Sequence, residues 1–180
     1  MLIAFSGLAG SGKTTAASHL VEAHNFVRLR FAEPLKAMLK VLIEPAGDVD
    51  RWIDGDYKEK VHPLLNCTPR HAMQTLGTEW GRNCIDTDLW VRLAINRIMR
   101  MNRDVVIDDV RFESEFLALN RLGGTVYRIV RSHEVTTSTH ASERGCSFHH
   151  TLPNFGSHED FQIALDDLIM GERMARPQHK

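Results

Sequence analysis

The sequence predicts an α/β fold, a mainly parallel sheet with helices on both faces. Three observations predict it. Short apolar runs of strand length alternate with segments of helical period along the 180 residues. The first run leads directly into a glycine-rich loop and then a helix. A later apolar run, Val105-Val106-Ile107, ends in Asp108 and Asp109. Ligands of open α/β sheets gather at such strand ends.

The elements follow in order. Leu2–Ser6 reads as a buried strand and Lys13–His24 as a helix, with Ala17, Leu20, Val21 and His24 at helical spacing. Residues 26–31 are rich in β-branched and aromatic types and read as a second strand. Pro34 opens a helix whose face is Leu35, Met38, Leu39 and Leu42. Residues 44–68 carry prolines, glycines and acids and read as irregular, with a short helix. Thr68-Pro69 is a helix start, and Thr87 begins a longer helix to about residue 101. Residues 104–108 form the third strand. Phe112, Phe116 and Leu119 share a helix face that Gly123 and Gly124 stop. Thr125–Val130 is a strand, 133–150 a loop, and 151–155 a short last strand. Ser157 caps a final helix with Phe161, Ala164, Leu165 and Leu168 on one face, and the tail from Arg173 onward is expected to fray. The whole reads as one domain, with about 33–90 an acceptor-binding segment and about 132–150 a lid-like loop.

Composition narrows the function. A formal net charge of −1 gives no global basic field for nucleic acid. No apolar run approaches the roughly 18 residues of a membrane span, and MLIAFSG has no basic region of a signal peptide. Cys67, Cys84 and Cys146 are odd in number and scattered, which predicts a reducing cytoplasm. Cys146 with His149 and His150 does not match the spacing of a closed zinc site. A homodimer is compatible with the sequence, but no residue pattern argues for one.

Residues 7–14, Gly-Leu-Ala-Gly-Ser-Gly-Lys-Thr, satisfy G-x-x-x-x-G-K-[ST], the Walker A phosphate loop. This places the fold among P-loop NTPases and predicts ATP with Mg²⁺ as the bound nucleotide. Glycines let the backbone curl so that successive N–H groups point at phosphate oxygens, and the following helix adds its positive dipole end. Gly7, Ala9, Gly10, Ser11, Gly12, Lys13, Thr14 and Thr15 are the expected nucleotide-binding residues. Lys13 reaches the β- and γ-phosphates, and Thr14 offers a hydroxyl to the metal. Asp108 stands at the Walker B position as the second metal ligand. Asp109 either faces an acceptor or caps the next helix. Arg111 either meets acceptor phosphate or pairs with Glu115 at i+4.

Three segments offer an acceptor site. Residues 30–36 include Phe31 and Lys36. The helix from Thr68 aligns Arg70, Gln74 and Gly77 on one stripe, where an amide reads a base edge and an arginine takes a phosphate bidentately. Residues 82–90 carry Arg82, Asp86, Asp88 and Trp90. Trp80 and Trp90 either stack a base or fill core. Beyond the last long strand, Arg131 ranks above Arg128 and Arg144 as the cation over the transferring phosphoryl group, followed by His133, His140, Ser142 and Glu143.

GLAGSGKTT, FAEPLKAML, TPRHAMQTLGTEWGR, VVIDDVRFESE and HASE together resemble the bacteriophage deoxynucleoside monophosphate kinases, over most of the chain from residue 2 to about 170; the closing NFGSHEDFQIAL resembles the end of the same family. The resemblance implies transfer of the γ-phosphoryl group of ATP to a 2′-deoxynucleoside 5′-monophosphate, giving ADP and the diphosphate. It implies acceptor contacts from Arg70, Gln74, Glu79, Arg82, Asp109 and Arg111, and Arg131 as the arginine near the phosphates. For a phage-encoded chain it implies the host cytoplasm. Two other readings stay open: another small-molecule P-loop kinase, resembling phosphomevalonate or dephospho-coenzyme A kinases, and a P-loop ATPase switch.

Overall fold

The computed structural model describes residues 1–131 and 145–175. Residues 132–144 of the expected lid-like loop, with His133, His140, Ser142, Glu143 and Arg144, lie outside the described residues, whereas His150 belongs to a strand. The backbone separates into two compact units, Met1–Leu29 with Ile98–Lys180, and Arg30–Arg97.

The first unit holds a five-stranded sheet of β1 (Leu2–Ser6), β2 (Val27–Leu29), β3 (Val105–Ile107), β4 (Thr125–Val130) and β5 (His150–Pro153), in the order β2-β3-β1-β4-β5. Every pairing is parallel, with Ile3 opposite both Val106 and Thr125. Parallel strands need crossovers, and α1 (Lys13–His24), α6 (Glu113–Arg121) and α7 (His158–Ala175) belong to this unit. Ile3 and Phe5 of β1 join Val106, Tyr127, Ile129 and Leu152 in one core with Ala16, Ala17 and Leu20 of α1 and Phe161, Leu165 and Ile169 of α7. Leu2, of opposite parity on the pleat, meets the turn that leaves α6: a side chain on Gly124 would lie 2.8 Å from Leu2 and 3.0 Å from the Leu119 carbonyl. Helices therefore cover both faces of the sheet.

The second unit is helical: α2 (Glu33–Ile43), α3 (Val49–Ile53), α4 (Pro69–Thr75), a π-helical stretch over Leu76–Ile85, and most of α5 (Leu89–Met99). Its core is Leu39, Ile43 and Ile53 with Trp52, Leu65, Ala72 and Met73 packed around them. Thr68 caps α4 as its sequence predicts, its Oγ1 accepting from the His71 amide at 3.1 Å.

Four expectations need correcting. The buried face of α2 is Leu35, Leu39 and Ile43, while Met38 and Leu42 are exposed. The second strand is three residues, not six. The helix from Thr68 changes to π geometry at Leu76, which breaks the phase of its polar stripe. The last helix continues past Arg173 to Ala175. No described helix is long and apolar enough to cross a membrane.

Candidate functional site

The phosphate loop runs from the end of β1 to the start of α1. Gly7 takes φ 130°, and a Cβ there would sit 2.5 Å from the Ile129 carbonyl, so the loop turns against β4 as only glycine allows. Gly12, at φ 110°, leads into the first turn of α1; a Cβ there would meet Asn154 Nδ2 at 2.5 Å. The loop is also held from within: the Ser11 amide donates to the Leu8 carbonyl at 3.2 Å.

Lys13 Nζ lies over this loop, donating to the carbonyls of Gly7 at 2.7 Å and Leu8 at 2.6 Å. Arg131, just past the end of β4, donates from its guanidinium to the Gly10 carbonyl at 3.3 Å. Both cations therefore meet at one loop. With Gly10, Gly12, Thr14 and Thr15 they line a cavity of about 280 Å³ whose other wall is Asn154, Gly156, Ser157, His158 and Phe161. Ala9 is exposed at the loop tip, and the buried Ser11 Oγ makes no hydrogen bond among the described residues.

Asp108 follows β3 and is buried, 5% exposed. Its Oδ2 accepts from Thr14 Oγ1 at 3.4 Å. Arg28 of β2 clasps the same carboxylate, with Nε donating to Oδ1 at 3.1 Å and a second bond from Nη2 to Oδ2. A hydroxyl and a carboxylate at this spacing are hard oxygen donors, and they fit a small divalent cation of the magnesium class. Thr14 and Asp108 are the residues that would hold it.

Two residues here were not singled out from the sequence. Asn154 buries its amide and donates from Nδ2 to the Ser11 carbonyl at 2.8 Å, bracing the loop from 143 positions away. Arg28 stands 80 positions from its partner Asp108. NFG after a short strand was a weak sign of the first; nothing local signalled the second.

The residues after Asp108 lead into α6. Glu115 is buried, and its Oε2 accepts from the backbone amides of Arg111 at 2.7 Å and Phe112 at 3.0 Å. Glu115 thus caps α6. Arg111 is exposed, and its bond to Glu115 comes from the backbone amide.

In the second unit, the expected acceptor cations have internal partners. Lys36 pairs with Asp54, and Arg70 pairs with Glu59. Arg82 donates to the Thr87 carbonyl at 3.2 Å. Phe31 is buried at 3% exposure, Gln74 is half-buried and Glu79 is exposed. The Gly77 carbonyl accepts from Trp90 Nε1 at 2.8 Å, and a side chain there would lie 3.3 Å from Leu35. Trp90 is core, while Trp80 is 41% exposed. Burial disfavours the charged form of Asp54, but Lys36, Lys40 and Arg30 outweigh it and hold the carboxyl below its usual range.

The sequence pattern of the deoxynucleotide monophosphate kinase family matches residues 57–161. A protein of Acanthamoeba polyphaga mimivirus, assigned to the same kinases, is 35% identical over 158 residues, 79% of this chain and 80% of that protein. The chain belongs to the deoxynucleotide monophosphate kinase family. The family's enzyme from Escherichia phage RB69 is 30% identical over 107 residues, 56% of this chain and 44% of that one. The chain thus spans four fifths of the mimivirus relative but under half of the phage protein. Among solved structures, TT1252 from Thermus thermophilus superposes with a TM-score of 0.54 at 18% identity, over 95% of this chain and 97% of that one. The parallel sheet and the phosphate loop between β1 and α1 are those of a P-loop NTPase. Membership of the kinase family and this fold imply use of a nucleotide with a divalent cation.

Proposed function

We propose that the protein transfers the γ-phosphoryl group of ATP, bound with Mg²⁺, to a 2′-deoxynucleoside 5′-monophosphate. The observation that carries this reading is the meeting of Lys13, Arg131 and Thr14 around one glycine-lined cavity in a member of this family. An acceptor phosphate oxygen attacks the γ-phosphorus, the bond to the β-γ bridging oxygen breaks, and ADP leaves with that electron pair. The acceptor phosphate is already ionised near neutral pH, so the site needs no strong base; it must position two anions and offset their repulsion. Loop amides and Lys13 hold the triphosphate, and Arg131 neutralises charge on the transferring group. Thr14 and Asp108 would hold a magnesium ion, which would supply further charge neutralisation. Asn154 keeps the loop in register through the Ser11 carbonyl.

Acceptor recognition is assigned to Arg70, Gln74, Gly77, Glu79 and Arg82, with Phe31 and Lys36, and to Asp109 and Arg111 after β3. Gly77 would act through its backbone and buried Phe31 as support. The enzyme would work in the cytoplasm.

ADP formation from ATP-magnesium tests the proposal, with dTMP, dGMP, dCMP, dAMP and their ribose forms as acceptors. ADP release that depends on one or more deoxynucleotides supports it. Release without acceptor dependence removes it, and points to an ATPase switch. Dependence on a different phosphorylated acceptor also removes it, in favour of another small-molecule kinase.

A further inference from the structure

Away from the phosphate loop, two histidines converge on one carboxylate. His19 and His24 lie on α1, and Asp166 lies on α7. Asp166 Oδ1 is 2.6 Å from His19 Nε2 and 2.7 Å from His24 Nε2. The imidazoles stand edge to face, with centroids 5.8 Å apart. Their side chains are only 12% and 15% exposed, whereas that of Asp166 is 45% exposed.

We propose that His19, His24 and Asp166 form a binding site for a divalent transition metal of the zinc class. One ligand atom from each residue lies within 4.8 Å of the other two, so the set already converges on a single point. Two imidazole nitrogens and one carboxylate oxygen form a recurrent zinc donor set, which leaves a fourth position for water. The same set is poor for magnesium, which prefers oxygen ligands throughout, so the site would not compete for the nucleotide's cation. Tetrahedral ligands at about 2.0–2.1 Å from zinc stand roughly 3.3 Å apart. Entry of the ion therefore opens the two short contacts by well under an ångström, and the exposed carboxylate can make that movement. The buried rings are already aimed, so little side-chain entropy is lost on binding.

The site's position gives it a role. His24 ends α1, about 16 Å along the helix axis from Lys13 at about 1.5 Å per residue. α7 contributes His158 and Phe161 to the wall of the phosphate cavity. An ion here would clamp together the two helices that frame that cavity, acting on stability rather than on the chemistry.

The test is zinc titration of the chelator-stripped full chain in excess magnesium, followed by calorimetry and by thermal melting. The expected result is one site in the wild type, a raised melting temperature, and at least about tenfold weaker binding in His24→Gln and in Asp166→Asn. Circular dichroism confirms that each variant is folded; should His24→Gln fail to fold, Asp166→Asn, altered at a half-exposed position, decides alone. Cobalt in place of zinc should give visible ligand-field bands without the intense near-ultraviolet thiolate band that Cys67, Cys84 or Cys146 would produce. Zinc affinity equal in wild type and Asp166→Asn, a thiolate-only spectrum, or no binding to the wild type overturns the proposal. Magnesium-dependent kinase activity of metal-free Asp166→Asn should match that of the wild type.

Discussion

The phosphate loop and the helices of 30–97 present their charged groups in different ways. At the loop, Lys13 and Arg131 donate to backbone carbonyls of the loop itself, and both line one cavity. In the second unit, Lys36 and Arg70 pair with the carboxylates of Asp54 and Glu59. The first arrangement keeps cations at a preformed anion cradle. The second holds them in exchangeable surface pairs, each worth at most about 1 kcal/mol, which an incoming phosphate can displace. On the proposed function, phosphate binding is built into the backbone, whereas acceptor binding competes with existing partners.

The sharpest way to break this comparison is Lys13→Ala. It should lower turnover more than about 100-fold, a loss of roughly 3 kcal/mol of transition-state stabilisation, with the fold intact by circular dichroism. Near-normal turnover in a folded variant would remove the loop from the chemistry. Arg28→Ala tests the same site through stability rather than turnover. It removes the guanidinium that clasps the buried Asp108 carboxylate, and breaking a buried ion pair costs about 3–5 kcal/mol. Because a cation at Asp108 would offset that charge, magnesium should raise the melting temperature of Arg28→Ala more than that of the wild type. Equal magnesium shifts in the two proteins would argue that Asp108 does not face the metal.

A smaller effect tests the acceptor side. Arg70→Gln should raise KM for the deoxynucleotide about tenfold while changing stability little, because the pair with Glu59 is exposed. An unchanged KM would leave Arg70 a surface partner of Glu59 and shift the acceptor phosphate to Arg82 or Arg111.

The same contrast explains what could be read from the sequence. Leu2–Ser6, Lys13–His24 and Thr125–Val130 have the expected bounds because each is specified locally, by an apolar run, a glycine loop or a glycine stop. The loop's own residues were legible for the same reason. Arg28 and Asn154 were not, because their partners lie 80 and 143 positions away. The π geometry of Leu76–Ile85 goes with a packing contact that a helical period cannot show. Gly81 lies against the Trp90 indole so closely that a side chain there would come within 2.5 Å of it, and Trp90 also bonds the Gly77 carbonyl. A ring nine residues downstream thus accompanies a changed helical phase, and with it the positions at which Glu79 and Arg82 emerge.

The smallest expected effect lies at Asp54. Its carboxyl is held below the usual range, despite partial burial, by Lys36, Lys40 and Arg30. A depressed folded-state pKa gives stability that is present above the unfolded value, about 3.9, and is lost as pH falls through the folded value. Asp54→Asn should therefore cost stability at neutral pH, by no more than about 1 kcal/mol since the side chain is 39% exposed. The difference from wild type should vanish in acid. The substitution also releases Lys36 from its pair. If Lys36 contacts the acceptor, KM for the deoxynucleotide should fall in Asp54→Asn as the competing carboxylate is removed. If KM is unchanged while the acid dependence of stability is lost, Lys36 serves the fold of the second unit alone.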